Sequence, residues 1–299
     1  MTKAGFITEL RLMQLLQLSA LMEVKRVCSI LDIDYFAIAG TLLGSFRHGG
    51  FIPWDTDADV AMFRSDYKKF TQEANGVIDP KFIVQSDYND LNNRTCFARI
   101  RVRGTVFNEL ENPISEYFSG LYVDIFPIDN AKAQPNTLLL VKHKFFKILV
   151  RLKAFRAGKV NSSTRFNSLI GRLLSLMFLF LSNKRLKNII EGFVLRFENH
   201  DCDLVTNYNS KYGLVKQTMP RNIYGVPRFN IFDGVKLRVP EKSESWLERI
   251  YGDYKRIPAC PQLTLDALLP GYEVDFGGYS DLLTKTEPEV RRFLNLPTL

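Results

Sequence analysis

Three aspartates alternate with smaller residues in the stretch Asp55-Thr56-Asp57-Ala58-Asp59, immediately before an apolar run. In a β-strand, alternate side chains point to the same face, so a strand at this position crowds three carboxylates together. Such crowding is costly unless a cation lies among the carboxylates, and hard oxygen ligands on a rigid strand suit Mg²⁺ or Mn²⁺. The stretch therefore predicts a divalent-metal site in which Asp57 and Asp59 are ligands and catalytic residues.

Alternating acids also occur in ordinary surface turns, so this pattern alone does not establish a site. Asp55 follows Pro53 and Trp54, and it is expected either to cap a turn or to support the other two acids. Asp124, in Tyr-Val-Asp-Ile-Phe-Pro, is a further candidate because an acid flanked by apolar residues is expensive to bury without a purpose. We expect Asp124 to act as a third metal ligand or as the general base for an acceptor hydroxyl.

A glycine-rich segment, GTLLGSFRHGG at residues 40–50, precedes the acids. We predict a turn at Gly44 and Ser45, where backbone N–H groups and a hydroxyl approach phosphate oxygens beside a helix N-terminus. Arg47 and His48 are further candidates for phosphate binding. The alternative for both is a structural role, in which they pair with backbone carbonyls or neighbouring acids.

A Gly-Ser turn followed about a dozen residues later by Asp-x-Asp is typical of nucleotidyltransferases. In these enzymes two metal ions bridge the phosphates of the donor and an incoming hydroxyl. Arg99 and Arg101 share one face of a predicted strand at residues 97–102, so we expect them either to meet the donor phosphates or to be ordinary solvated side chains.

Three segments carry a resemblance to a known family: GTLLGSFRHGGFIPWDTDADVAM at residues 40–62, YVDIFPIDN at residues 122–130 and WLERIYGDYKRIP at residues 246–258. They resemble the LicD family of phosphocholine and related phosphotransferases, which is also similar to the catalytic domain of the fukutin-related proteins. By position, the resemblance assigns Asp57 and Asp59 to the metal-binding pair. It assigns Gly44 and Ser45 to the nucleotide loop and Asp124 to the later acid.

This resemblance implies a nucleotidyltransferase fold and a divalent metal. It also implies a CDP-linked donor, such as CDP-choline or a CDP-polyol, from which a phosphorylated alcohol moves to a glycan hydroxyl while CMP leaves. The expected partners are therefore the CDP-alcohol donor and a glycan or lipid-linked glycan acceptor. The implied setting is the biosynthesis of lipopolysaccharide, teichoic acid or capsule.

The periodicity of the chain predicts an α/β or α+β core up to about residue 130, followed by a basic helical segment. Together with the resemblance, which implies a nucleotidyltransferase-like mixed sheet flanked by helices, we expect an α+β fold with a basic helical insert. Predicted helices cover residues 8–31, 64–75 with Ser65 as N-cap, and 243–251 with a glycine C-cap at Gly252. Predicted strands cover residues 35–39, 59–63, 82–86, 97–102 and 121–126, the last of them ending at Pro127.

Positive charge is concentrated in one segment of the chain. Residues 132–198 contain 14 Lys and Arg against two acids, a local excess of twelve, although the net charge of the whole chain is +8. From residue 136 the spacing predicts a basic amphipathic helix whose apolar stripe includes Leu138, Val141, Phe145, Ile148, Leu152 and Phe155. We expect this segment either to pack against the core or to lie on an anionic membrane surface.

We divide the chain into three parts. Residues 1–131 are the predicted catalytic core with its N-terminal helix, residues 132–206 the basic helical segment, and residues 207–299 a C-terminal segment that completes the LicD-like domain. Four scattered cysteines and three histidines suggest neither a disulfide framework nor a zinc site, which fits a reducing cytoplasm. The N-terminus shows no secretion signal. We therefore expect a cytoplasmic protein, soluble or peripheral on the inner face of the plasma membrane.

Two other functions compete with phospho-alcohol transfer. A plain nucleotidyltransferase places NMP on a small acceptor and releases pyrophosphate. Outside the enzymes, the alternative is a basic nucleic-acid-binding module, since many nucleotidyltransferase folds act on RNA. However, Phe145, Phe146 and Phe155 are predicted to lie on the apolar stripe and not among arginines, where they would stack on bases. We therefore expect no nucleic-acid partner.

Overall fold

The computed structural model describes residues 6–90, 93–109, 118–157, 181–258 and 264–298, and it confirms the α+β class. Its α-helices in these ranges are α1 (Glu9–Ile30), α2 (Ala39–Arg47), α3 (Arg64–Glu73), α4 (Thr137–Ala157), α5 (Asn183–Leu195), α6 (Leu214–Gln217), α7 (Ser243–Tyr251), α8 (Leu265–Leu268) and α9 (Glu287–Phe293). Its strands are β1 (Phe36–Ala37), β2 (Asp59–Phe63), β3 (Phe82–Gln85), β4 (Ala98–Val102), β5 (Val106–Glu109), β6 (Tyr122–Ala131), β7 (Leu204–Thr206), β8 (Met219–Pro220), β9 (Arg228–Phe232), β10 (Val235–Val239) and β11 (Tyr272–Asp275).

The central sheet is mixed, with β1, β2, β6, β4 and β3 side by side in that order, while β7 pairs with the far end of β6 and β8 pairs with β7. β2 and β6 are parallel, whereas the other neighbouring strands of this sheet are antiparallel. The register places Asp59 opposite Asp124, and Asp124 opposite Arg99. Because directly paired residues point to the same face, these three side chains form a row across the sheet.

Helix α1 packs beneath β4 and β6 and is buried on nearly every side. The Thr8 side chain caps it by accepting a hydrogen bond from the Arg11 backbone N–H at 3.2 Å. The helix buries polar Gln14 and Gln17 together with its leucines. Those two glutamines hold the loop that carries the acids, so α1 is part of the support of the candidate site.

Two predicted boundaries are wrong for identifiable reasons. Strand β6 does not end at Pro127 but continues to Ala131. On one side, its pairing with β4 ends at Ile125 and its pairing with β7 begins at Asp129, so the missing N–H of Pro127 costs no ladder bond on that side. Helix α3 begins at Arg64, with Phe63 and not Ser65 at the N-cap position.

Helices α4 and α5 pack together and build a second hydrophobic core with Tyr208 and Leu214. The face of α4 that is buried there consists of His143, Phe146, Leu149 and Leu152. Of the predicted stripe, Leu152 packs in this core, whereas Leu138, Val141, Phe145 and Ile148 are exposed. Packing of the whole stripe against the core is therefore wrong. The helix is apolar on two faces, and periodicity alone does not tell which face meets the core.

Part of the basic segment lies outside the described residues, which resume at Leu181. The basic segment is seen again from α5 onward, where Ser182 caps the helix by accepting from the Arg185 N–H. None of the helices in the described part of the chain combines the length and apolar character needed to cross a membrane. The division of the chain into three parts stays a prediction.

The C-terminal segment contributes to the main core through Trp246, Leu247 and Ile250 of α7. The predicted bounds of this helix are confirmed. Its glycine C-cap is confirmed as well, since Gly252 has φ of +72° and donates its N–H to the Glu248 carbonyl at 2.8 Å.

A buried ion network joins the two ends of the chain. Asp233 lies in the Asp-Gly turn between β9 and β10, where both residues have positive φ. Its carboxylate accepts hydrogen bonds from Arg11 at 2.6 Å, from Arg291 at 3.0 Å and from the Phe51 N–H at 3.1 Å. Glu287 also bonds both arginines, at 2.7 and 2.8 Å. This network therefore holds α1, the β9–β10 hairpin and α9 in one arrangement.

The Asp233→Ala variant should lower the free energy of unfolding by about 3 kcal/mol, because it removes the main partner of a buried arginine. Urea denaturation followed by circular dichroism measures this change. Arg228→Ala on the same hairpin is the control, since Arg228 is exposed and lies 3.7 Å from Glu241. We expect it to change stability by less than about 0.5 kcal/mol. Equal losses in the two variants would contradict the importance of the network.

Candidate active site

The row formed by Asp59, Asp124 and Arg99 is the centre of the candidate site. Asp59 and Asp124 are both largely buried, at 8% and 7% exposure. Arg99 donates its Nε–H to Asp124 Oδ1 at 2.7 Å, and its guanidinium lies over the Tyr122 ring at 3.9 Å. Asp57, two residues before Asp59, lines the same cleft. The sheet register thus brings together the three acids that the sequence predicted.

The loop before β2 is held from below by buried polar side chains. Gln14 donates to the Asp55 carbonyl at 3.0 Å, and Gln17 donates to the Thr56 carbonyl at 2.9 Å. The backbone N–H of Asp59 donates to Thr41 Oγ1 of α2 at 2.8 Å. These bonds fix the backbone from which the acids project, so the carboxylates are positioned by the fold and not by flexible side chains.

Burial first, and mutual repulsion second, raise the pKa values of the carboxylates in the cluster. Burial raises the pKa of Asp59 well above its ordinary value, and the charges of Asp57 and Asp124 raise it further. Burial, together with the charge of Asp57 and a hydrogen bond to it, raises the pKa of Asp55 to about 8. Burial also raises the pKa of Asp124, although Arg99 opposes this. The carboxylates therefore favour protonation or a cation in their midst.

Two cations face the acids from different parts of the chain. Arg99 comes from β4, and Lys211 comes from the segment after β7. Burial lowers the pKa of Lys211, but Tyr212 and the acids Asp57 and Asp59 outweigh this and raise it. The hydroxyl of Tyr212 lies 2.8 Å from that of Tyr251, at the end of α7. The segment of 207–212 thus lines the site and is bonded to the end of α7.

The acids open into a cleft of about 210 Å³. Besides the acids, its walls carry several polar side chains and a few apolar or aromatic ones: Asn207, Asn209, Ser210, Lys211, Gln217, Ile38, Ala39, Phe97, Phe126, Tyr212 and Trp246. Phe97 and Phe126 contact each other with ring centroids 4.3 Å apart. The cleft therefore combines a charged floor with an aromatic wall.

The charges of the cluster fit one divalent cation. The cluster contains four acids, Asp55, Asp57, Asp59 and Asp124, and two cations, Arg99 and Lys211. When all six groups are ionised, two negative charges are left in excess. Within the described ranges, however, no group of three or more His, Cys, Asp or Glu side chains is arranged to hold a metal ion. Mg²⁺ typically takes only one or two protein carboxylates and completes its shell with water and substrate phosphate. Asp57 and Asp59 fit that requirement, while Asp124 is already engaged by Arg99.

Comparison with known proteins shows what this chain is similar to. Residues 32–148 match the family described as LicD/FKTN/FKRP, nucleotidyltransferase domain, and this range contains Asp57, Asp59, Arg99 and Asp124. The resemblance to this family is thus found over residues 32–148. Lys211 lies outside the matched range.

Two kinds of relative extend this match. The chain is 27% identical over 254 residues to the lipopolysaccharide cholinephosphotransferase LicD of Haemophilus influenzae, an alignment that covers 83% of this chain and 92% of that protein. It is 37% identical over 75 residues to the ribitol 5-phosphate transferase FKRP of mouse and of human, covering 22% of this chain and 15% of those proteins. Both kinds of relative are phospho-alcohol transferases by name.

Within the matched range, the predicted turn at Gly44 and Ser45 is wrong, since both residues lie inside helix α2. A side chain at Gly44 would come within 2.3 Å of the Gly50 carbonyl oxygen, so glycine is required there for close packing. Ser45 is buried, and its hydroxyl donates to the Leu42 carbonyl at 2.9 Å. A substrate-binding role for Gly44 and Ser45 stays a prediction.

The part of α2 that lines the cleft is its N-terminal end, at Ile38 and Ala39. Ala39 has φ of +48°, which is unusual for a residue with a side chain. The first N–H groups of a helix lack partners within the helix and carry partial positive charge, which suits an anion. A helix N-terminus therefore does face the cleft, but it lies at Ile38 and Ala39 and not beside Gly44 and Ser45, where it was predicted.

The other predicted phosphate-binding residues lie away from this cleft. Arg47 donates to the carbonyls of Tyr254 and Arg256 at 3.3 and 3.2 Å, which is the structural alternative foreseen for it. His48 packs edge-on against Trp54. Neither residue lines the cleft, and their substrate role stays a prediction.

Arg101 is also buried away from the cleft. Its side chain is 1% exposed and donates to Gln85 Oε1 and to the Gly120 carbonyl, both at 2.7 Å. Burial and the neighbouring Arg99 lower its pKa to about 9. The two arginines predicted as a pair therefore differ in their contacts, because Arg99 bonds an acid of the candidate site and Arg101 bonds Gln85 and Gly120. A substrate role for Arg101 stays a prediction.

Sequence reasoning missed Lys211 and its neighbours. The segment of 207–213 reads Asn-Tyr-Asn-Ser-Lys-Tyr-Gly, and such clusters of Asn, Ser and Gly indicate a loop. A polar loop with a lysine and two tyrosines was the available signal, but nothing in the sequence places it beside residues 57–59. Phe97 and Phe126 were not predicted to line a cleft either, since aromatic residues at the ends of predicted strands ordinarily pack in the hydrophobic core.

Metal-free protein should lose stability as the pH rises from about 5 to about 8. Asp55 has a raised pKa in the folded chain, so its contribution to stability is fully present below its ordinary pKa and is lost as the pH rises through about 8. Thermal unfolding in EDTA at several pH values measures the slope. The Asp55→Asn variant should flatten it, while Asp201→Asn, at an exposed position, should leave it unchanged. If stability changed with pH equally in wild type and in Asp55→Asn, the raised pKa of Asp55 would be contradicted.

Proposed function

We propose that this chain transfers a phospho-alcohol, phosphocholine or a similar group, from a CDP-linked donor to a hydroxyl of a cell-surface glycan, releasing CMP. The observation that carries the proposal is the row of Asp59, Asp124 and Arg99 across three adjacent strands, with Asp57 and Lys211 at the same cleft. Relatives named as cholinephosphotransferase and ribitol 5-phosphate transferase support the kind of group transferred.

The residues that would hold Mg²⁺ or Mn²⁺ are Asp57 and Asp59. The ion, when bound, supplies Lewis-acid stabilisation of negative charge on the phosphates of the donor. The protein itself contributes the fixed carboxylates, held through Gln14, Gln17 and Thr41.

In the proposed reaction, the acceptor hydroxyl oxygen forms a bond to the phosphorus that carries the alcohol. The bond from that phosphorus to the CMP oxygen breaks, and the hydroxyl proton passes to a carboxylate. Asp124 is our candidate for this base, because it lies in the cleft with a raised pKa and Arg99 fixes one of its oxygens.

The remaining walls would bind and orient the donor. Lys211 and the N-terminal end of α2 at Ala39 are positively charged or polarised groups that face the acids, which is where phosphate oxygens would lie. Phe97 and Phe126 offer apolar ring surface for the base or the alcohol. Tyr212, which lines the cleft and bonds to Tyr251, would help to limit access of water.

The competing reaction is transfer of NMP to a small acceptor, which the description of the matched domain as a nucleotidyltransferase keeps open. The two reactions differ in the leaving group, CMP in one and pyrophosphate in the other. The relatives named above favour phospho-alcohol transfer.

We also propose that the enzyme works in the cytoplasm. Cys28, Cys96 and Cys202 are free thiols, and Cys28 and Cys202 are buried. Free thiols of this kind suit a reducing compartment. Fractionation of the source cells tests this, and recovery in an oxidising compartment would contradict it.

Wild-type protein with Mg²⁺ should release CMP slowly from one of the CDP-alcohols choline, ribitol or glycerol, with water as the acceptor. Asp57→Asn should reduce this rate by about 100-fold or more, because it removes a carboxylate from the centre of the site. Chromatographic measurement of CMP is the assay, and Asp281→Asn, an exposed acid remote from the acid row in sequence, is the control. Pyrophosphate from a nucleoside triphosphate, without CMP from any CDP-alcohol, would support the competing reaction.

The Lys211→Ala variant should weaken donor binding by about 10- to 100-fold, the usual cost of losing one hydrogen bond to a charged group. Lys211→Arg should keep part of the affinity. The dissociation constant of the preferred CDP-alcohol, measured by calorimetry with Ca²⁺ to prevent turnover, tests this. Unchanged affinity in Lys211→Ala would remove Lys211 from the donor site.

A further inference from the structure

Helix α4 carries an apolar stripe on its outward face. Leu138, Val141, Phe145 and Ile148 follow one another at intervals of three, four and three residues, which places them on one side of the helix. Their exposed fractions are 61%, 57%, 50% and 36%, although other residues of the same helix are packed against α5. A contiguous stripe of this kind on a surface indicates an interaction site.

Basic side chains border the stripe on both sides. At the angular spacing of an α-helix, Lys142 lies along one edge, while Lys144 and Arg151 lie along the other. All three are exposed, and within the described residues none of them forms an ion pair. Helix α4 contains six Lys and Arg and no acid. The two acids between residues 132 and 198 are paired, Glu191 with Lys187 and Glu198 with Lys68.

The N-terminal end of the stripe opens into a groove of about 520 Å³ between α4 and α5. Leu138 and Lys142 line it together with Lys132, Phe193 and Arg196. The groove therefore offers cations that could bind a lipid headgroup and apolar side chains that could contact the upper part of the lipid chains.

We propose that the outward face of α4 docks on an anionic lipid surface, with the apolar stripe in the interface and Lys142, Lys144 and Arg151 against the headgroups. Charge selects this occupant. A second copy of the chain would bring two uncompensated basic faces together, and an uncharged partner would leave the flanking cations without a role. The proposal does not depend on the enzymatic reaction proposed above.

Docking through α4 would place the cleft next to the lipid surface. The inner face of α4 holds the segment that lines the cleft, because His143 Nε2 lies 3.0 Å from the Tyr208 carbonyl oxygen and Lys147 Nζ lies 3.5 Å from the Ser210 carbonyl oxygen. Lys211 follows directly on that segment. An acceptor carried by a lipid would then reach the acids without leaving the interface.

The test is sedimentation of the full chain with large vesicles, made of phosphatidylcholine alone or of phosphatidylcholine mixed with phosphatidylglycerol. We expect binding to the anionic vesicles and little to the neutral ones. Val141→Ser with Phe145→Ser should weaken binding by at least about tenfold. Lys142→Gln with Lys144→Gln and Arg151→Gln should weaken it by about 100-fold, and added salt should mimic this loss.

A matched control is available on another surface. Phe229 and Ile231 of β9 are 54% and 49% exposed, almost the same as the two substituted residues of α4. Phe229→Ser with Ile231→Ser removes similar apolar area and should leave vesicle binding unchanged. Circular dichroism melting of every variant identifies loss of fold, and the charge variant tests the proposal even where a stripe variant is destabilised.

Three results would overturn the proposal. Equal binding to neutral and anionic vesicles would remove the role of charge, and equal losses in the α4 and β9 variants would remove the role of the stripe. Absence of vesicle binding, together with a dimer in analytical ultracentrifugation that Val141→Ser with Phe145→Ser dissociates, would assign the face to a second copy. CMP release with a soluble donor should be unchanged in all these variants, so a failed enzymatic proposal would be recognised separately.

Discussion

The parallel pairing of β2 with β6 is the constraint on which the site depends. It sets Asp59 directly opposite Asp124, and two buried carboxylates in neighbouring positions repel each other strongly. The rest of the local structure compensates for this pair. Arg99 is in register on the next strand, and α1 and α2 hold the loop through Gln14, Gln17 and Thr41. The repulsion that remains is the property that makes the site receptive to a cation.

The site has two halves with different origins in the chain. The acids and Arg99 belong to the range that matches the LicD family, whereas Lys211, Tyr212 and Tyr251 lie outside it. The half within the matched range supplies the carboxylates, which any transfer from a phosphate donor of this type requires. The half outside it forms much of the wall that a bound alcohol or acceptor would meet. Under the proposed function, differences in substrate within the family are therefore to be sought in the segment of 207–217.

The sequence pattern was sufficient to predict those helices and strands whose own residues show which side is buried and where the element ends. The bounds of β2 and α7, the long α1 and the three acids of the site were all predicted, because alternation, helical spacing and a terminal glycine are local signals. The prediction was wrong where the outcome depends on a distant partner. Pro127 stays within a strand because of how β4 and β7 share its edge, and Gly44 is needed for contact with Gly50 and not for a turn. Lys211 reaches the acids through tertiary structure, which a single sequence does not encode in any spacing.

Helix α4 shows a further limit of pattern, because it has two apolar faces. Its inner face packs against α5 and Tyr208, so the second hydrophobic core forms without the exposed apolar residues. An exposed stripe of four large apolar residues is a solubility liability unless it has a partner. The charge distribution points to the same conclusion, since residues 132–198 carry an excess of twelve positive charges while the remainder of the chain carries a net −4. Such a separation of charge would turn the basic helix α4 towards an anionic surface before any apolar contact forms. Long-range charge would then determine how the chain approaches the surface, and the stripe would determine how long it stays.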